Sequence, residues 1–266
     1  VLAVAAVVVV GLVRGADDRT TEPADSAATG PATASDGGPA PPADLLDWLA
    51  TELPAGGTVA APPELRARLL AAGADPAVLP ESAPAEAGAG RAGIPALTLA
   101  EDEPEGGRVL ARFDLEATPL ILVDPSPVEA TDEQRQQREA LAAAVLANPT
   151  TRAEGDARAV LAAADVDPRL LAVVAALTAQ EGIGLWAFPA LPGEVPGSAP
   201  ARRVVVDAVG GRPVPADGAV TQRLIAWLDA QLGPFAPDTV EVTGDGVLIG
   251  FDYVPGPDAV VASATP

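Results

Sequence analysis

The chain has 266 residues, 37 of them acidic and 16 basic, for a formal net charge of −21; every basic residue is arginine, and lysine, histidine, cysteine and methionine do not occur. Without imidazole, thiol or amine side chains, this chain alone cannot build Ser-His-Asp or thiolate catalysis, a Schiff base, a P-loop, or a metal site held by His or Cys. So acidic a surface also argues against nucleic acid and anionic headgroups, which require clustered cations.

Residues 1–13 (VLAVAAVVVVGLV) carry no polar side chain and are followed at once by Arg14. As a helix they span about 20 Å, against roughly 30 Å for a bilayer core. The reading is a transmembrane or signal-anchor helix whose start is missing. A cleaved signal segment or a buried core helix are the alternatives. A core helix would want patterned neighbours, yet residues 14–43 are rich in Ala, Pro, Gly, Ser, Thr and Asp with no large apolar side chain. Such a stretch cannot bury enough surface to offset backbone ordering, so it reads as a disordered, proline-stiffened stalk. An acidic stalk beside an acidic inner leaflet would be repelled, which places the following domain outside the cytoplasm.

The folded head is expected over 44–256, with a frayed tail at 257–266. Asp44 is a candidate cap for a helix over 45–53 bearing Leu45, Leu46, Trp48 and Leu49. A short strand at 58–61 precedes a helix opened by Pro62-Pro63 and closed by Gly73. Residues 88–93 match the dinucleotide fingerprint GxGxxG by letter. Neither a strand before it nor a helix after it is predicted, so the match carries no phosphate site.

Strands are expected at 96–100 and 109–113, flanking the acidic turn 101–105, which lacks the alternating ligand spacing of a calcium loop. PLILVD at 119–124 reads as a central strand buried on both faces, the pattern of a parallel sheet. Thr131 and Gln134 form a capping box for a helix to 147. Further helices are expected at 157–164 and, after Asp167-Pro168, through 181. A strand follows at 185–188, with Trp186 and Phe188 on one face, then another at 203–209. A helix over 219–232 and a Gly-Asp-Gly hairpin over 239–253 close the head. Segments 67–79 and 157–171 share a helix–turn–Asp-Pro pattern, explained by an internal repeat or by capping chemistry in an alanine-rich chain.

These elements predict an α/β fold with a mixed sheet covered by helices, as one unit or as two lobes meeting near 128–156. Ligands gather beyond the carboxyl ends of parallel strands. That singles out Asp124 and Ser126, and Asp207 if strand 203–209 runs parallel to 119–124. The bland reading of Asp124 and Ser126 is a turn before the next helix. Glycoside hydrolysis needs only two carboxylates, so missing histidine does not exclude it. Sugar sites, however, favour exposed aromatics, and Trp48, Trp186 and Trp227 each fall on a predicted apolar face. No catalytic residue, metal ligand or cofactor is expected.

DLLDWLATELPAGGTVAAPPELRARLLAAG (44–73) resembles segments that follow the membrane spans of actinobacterial membrane proteins, including lipid-linked-sugar glycosyltransferases. Residues 147–183 are similar to a stretch of uncharacterised membrane-anchored extracytoplasmic proteins of the same bacteria. The resemblance implies an anchored, outward-facing α/β domain and transfers no catalytic residue. The expected function is a membrane-tethered binding or scaffolding domain of the cell envelope, with the membrane and envelope proteins as partners. A carboxylate-dependent hydrolase or sugar-handling enzyme near Asp124, or the soluble part of a larger transferase or transport assembly, are the alternatives.

Overall fold

A computed structural model describes residues 41–81, 94–102, 106–115 and 118–264. The apolar leader, nearly all of the stalk, the glycine pattern at 88–93 and part of the acidic turn lie outside the described residues. Among those described, no helix is long and apolar enough to cross a membrane.

The architecture is mixed α/β, but it holds two sheets rather than one. The first is built from α1 (Ala43–Thr51), β1 (Thr58–Ala60), α2 (Pro63–Ala71), β2 (Ala96–Ala100), β3 (Arg108–Leu115) and β4 (Thr118–Asp124), with strand order β1-β2-β4-β3. The β1–β2 pair is parallel, as the α2 crossover allows, and the remaining pairs are antiparallel. Period-2 alternation in ALTLA sends Leu97 and Leu99 inward, where they meet Leu45, Trp48 and Leu49 of α1 and Leu65 and Leu69 of α2. Asp44 is not the cap of α1. The helix starts at Ala43, two residues earlier than expected, behind Pro42, and Asp44 sits in its first turn, where a negative charge suits the helix dipole.

The second sheet comprises β5 (Arg152–Ala153), β6 (Ile183–Ala187), β7 (Arg203–Val209), β8 (Arg212–Pro213), β9 (Thr239–Val242) and β10 (Val247–Gly250). Its order is β5-β6-β7-β10-β9, with β8 folded back on β7; only β5–β6 is parallel. The helices of this half are α3 (Asp132–Ala147), α4 (Gly155–Ala162), α5 (Pro168–Gln180) and α6 (Gly218–Asp229). Their buried side chains meet Ile183, Leu185, Val204, Val206, Val247 and Ile249 in a second core. The capping box forms as expected: Gln134 N–H donates to Thr131 Oγ1 at 3.2 Å, and Thr131 N–H to Gln134 Oε1 at 2.8 Å. The segments with the shared Asp-Pro pattern occupy equivalent places, each in the crossover between the parallel strands of its sheet.

Two expectations need correction here. The tail is not frayed throughout, since α7 (Pro257–Ala264) packs against α5 and buries Pro257 and Asp258. Trp186 is not core; it is 58% exposed, whereas Trp48 is buried and Trp227 half-buried. Ile183 and Leu185 face the helices, so alternation alone turns Trp186 away from them, and a change of register then separates it from Phe188. Between the pairs Gly184↔Ala208 and Leu185↔Val206, β7 carries Asp207 as an additional residue; between Leu185↔Val206 and Ala187↔Val205, β6 carries Trp186. Two offsetting bulges thus sit side by side, and Phe188, predicted on the face of Trp186, packs on the helix-covered core instead.

Candidate functional site

The polar side chains that the fold buries are concentrated where the two cores meet. Asp124 ends β4 and is 2% exposed. Its Oδ2 accepts a 2.5 Å hydrogen bond from the Tyr253 hydroxyl, and its Oδ1 accepts from the Ser126 backbone N–H at 2.9 Å. Burial first, then the Asp124 charge and the hydrogen bond it accepts, push the Tyr253 phenol well above its ordinary value. Tyr253 therefore stays protonated and donates. Its ring lies in the first core although its chain follows β10 of the second sheet, so the hydroxyl joins the two halves.

A second group lies along the same seam. Glu52, just past the end of α1, is 1% exposed. Its Oε2 accepts from Arg202 Nη1 at 2.7 Å, and its Oε1 pairs with Arg203. Arg202 Nη2 donates to Glu194 at 3.1 Å, and Nη1 also donates to the Phe251 carbonyl at 3.2 Å. Burial alone would pull the Arg202 guanidinium down; Glu52 and Glu194 outweigh it and hold it raised and charged. The Tyr253 backbone N–H donates to the Glu52 carbonyl at 3.0 Å. Beside this group, Asp167 caps α5 through the Arg169 N–H and holds the Arg169 side chain, which donates onward to the Asp252 carbonyl at 2.8 Å. Asp252 is pushed up to about 6, first by burial and then by the neighbouring charges of Asp238 and Glu52.

The three residues singled out from the sequence do not form one site. Strand β4 is antiparallel to both neighbours, so the rule for parallel strand ends does not apply to Asp124, and Asp207 lies in the other sheet. Asp124 and Ser126 share the turn already described. Asp207 pairs with Arg152 at 2.5 Å, and its Oδ1 is buried without a hydrogen-bond partner. Sequence reasoning missed Glu52, Arg202 and Tyr253. The Arg202-Arg203 pair entering an apolar strand was the available signal, but its partner Glu52 lies 150 residues away along the chain.

Two clefts flank α7. One, of about 290 Å³, is largely apolar and bounded by Leu141, Leu171 and Val261. The other, of about 180 Å³, holds Arg108, Arg135 and Arg138 with Asp165 and Asp258. The Arg138–Asp258 pair, at 3.1 Å, separates them. Burial raises both Asp165 and Asp258, opposed by Arg138. Among the described residues, no group of three or more acidic side chains is arranged to hold a metal ion.

Compared with protein-family models, with curated proteins and with solved structures, the chain matches none.

Proposed function

We propose that the chain is a membrane-tethered, non-catalytic binding domain of the cell envelope, held outside the cytoplasm on an acidic stalk. One observation carries the non-catalytic part of this reading. The three most deeply buried acids, each 2% exposed or less, are turned on neighbouring side chains and backbone: Asp124 on Tyr253, Glu52 on Arg202, Asp167 on Arg169. A general acid or base must reach a substrate proton, and a carboxylate with both oxygens engaged inside the protein offers none. The apolar run at 1–13 and the proline-rich acidic stretch after it support the tether and its orientation.

Fractionation and protease treatment of intact host cells test this. The full chain should sediment with membranes and resist alkaline extraction, and external protease should cut within 14–43 and release a folded head. A head recovered in the soluble cytoplasmic fraction, or protected until cells are lysed, contradicts the tether.

A further inference from the structure

We infer that the outward face of the second sheet, centred on Trp186, is a platform for a neutral, pyranose-based polysaccharide; this deepens the binding-domain reading above and rests on it. The helices α3 to α6 bury one face of that sheet through Ile183 and Leu185, so Gly184 and Trp186 lie on the other. Register places Val205, which is buried, and Leu248, which is half-buried, opposite one another on that face, outside both core clusters, as the floor beneath the indole. Trp186 stands there 58% exposed, and the bulge brings the small side chain of Ala187, paired with Val205, beside it.

The polar half of the platform is built across Gly184. Asp207 from β7 and Arg152 from β5 meet over it at 2.5 Å. A Cβ on Gly184 would lie 2.8 Å from Arg152 Nη2 and closer still to Asp207 Oδ1, so only glycine permits the pair to lie across the strand. Arg152 is 56% exposed in its side chain, which leaves guanidinium donors facing water two residues from the indole. An aromatic face next to an immobilised planar donor matches a pyranose ring, whose C–H face stacks on the indole while its hydroxyls accept from the guanidinium.

Size decides between a sugar and a folded partner. Among the described residues, the other exposed large hydrophobics are Val128, Leu141, Leu232 and Val242, and none occupies an outward position of this sheet. The indole alone presents at most about 150 Å². A standard protein interface takes about 800 Å² from each partner. One exposed ring serves one or two sugar units and falls well short of a protein surface or a second copy. The net charge of −21 further disfavours anionic polymers.

The test titrates the full chain, in a detergent without a sugar headgroup, with cellohexaose, chitohexaose and maltohexaose, followed by tryptophan fluorescence and calorimetry. At least one should bind saturably with a dissociation constant in the range of about 10 μM to 1 mM. Trp186→Ala should weaken it at least about tenfold and Trp186→Phe less, with unchanged thermal midpoints. Gly184→Ala should also weaken it. The inference is overturned by no saturable binding of any of the three, by affinity indifferent to Trp186→Ala, or by Trp186-dependent crosslinking to an envelope protein without sugar binding. Chromatography of the recovered sugar separates the two readings: shortened chains overturn the non-catalytic assignment, while the Trp186 dependence still judges the platform. Failure of the tether alters neither readout.

Discussion

Tyr253 and Asp124 sit 129 residues apart and share a buried hydrogen bond of 2.5 Å, each residue being 2% exposed. Removing the hydroxyl with Tyr253→Phe strands a buried carboxylate oxygen, which costs about 1–3 kcal/mol. Chemical denaturation should show that loss; an unchanged midpoint would mean the bond contributes nothing. Asp252 acts with the opposite sign. Its carboxyl is held near 6 in the folded chain against an ordinary 3.8, so the native state binds its proton more tightly than the unfolded state does. The stabilisation is complete below about pH 4 and is lost as pH rises through about 6. Asp252→Asn removes that loss. Because the side chain is half-buried and screened, the variant should be about 1 kcal/mol more stable than the parent at pH 7 and indistinguishable at pH 4. A pH series of urea midpoints reads this directly, and a constant offset between the two proteins would contradict it.

At the scale of elements, local chemistry decides what the sequence discloses. The capping box at Thr131 and Gln134 and the hairpin of β9 and β10 follow from residues within a few positions of one another, and they are legible without a structure. Thr131→Ala should cost about 1 kcal/mol, read from the thermal midpoint. The direction of β4 is not legible. Four apolar residues in a row, Leu120 to Val123, satisfy any strand buried between two neighbours, parallel or antiparallel, and only the neighbours tell which. Trp186 and Phe188 fall on different faces although period-2 counting, which assumes an unbroken ladder, puts them on one. A bulge adds one residue and turns a side chain to the opposite face, and nothing in EGIGLWAFP marks it except the glycine over which Asp207 and Arg152 meet. Of the candidate site, then, the position of Asp124 at a strand end was readable from pattern. Its partner was not, because Tyr253 lies 129 residues away along the chain and follows a strand of the other sheet.

Across the whole molecule, two separate cores are joined by a polar seam rather than by a continuous apolar interior. Glu52 is the member of that seam with the most to lose. It holds two arginines while 1% exposed, so Glu52→Ala leaves Arg202 buried and short of its nearest counter-charge. The expected loss is about 3–5 kcal/mol, seen by denaturation, and Glu52→Gln should recover part of it. A loss under about 1 kcal/mol would place the seam in water. Charged side chains inside the molecule hold its halves together; in the reading we propose, binding falls to the exposed ring.

The most direct check measures stability and hexasaccharide affinity on the same samples of Asp124→Asn and Trp186→Ala. Asp124→Asn should lower the thermal midpoint and leave affinity unchanged, and Trp186→Ala should do the reverse. An Asp124→Asn chain that melts like the parent yet no longer binds would make Asp124 the site and contradict the account.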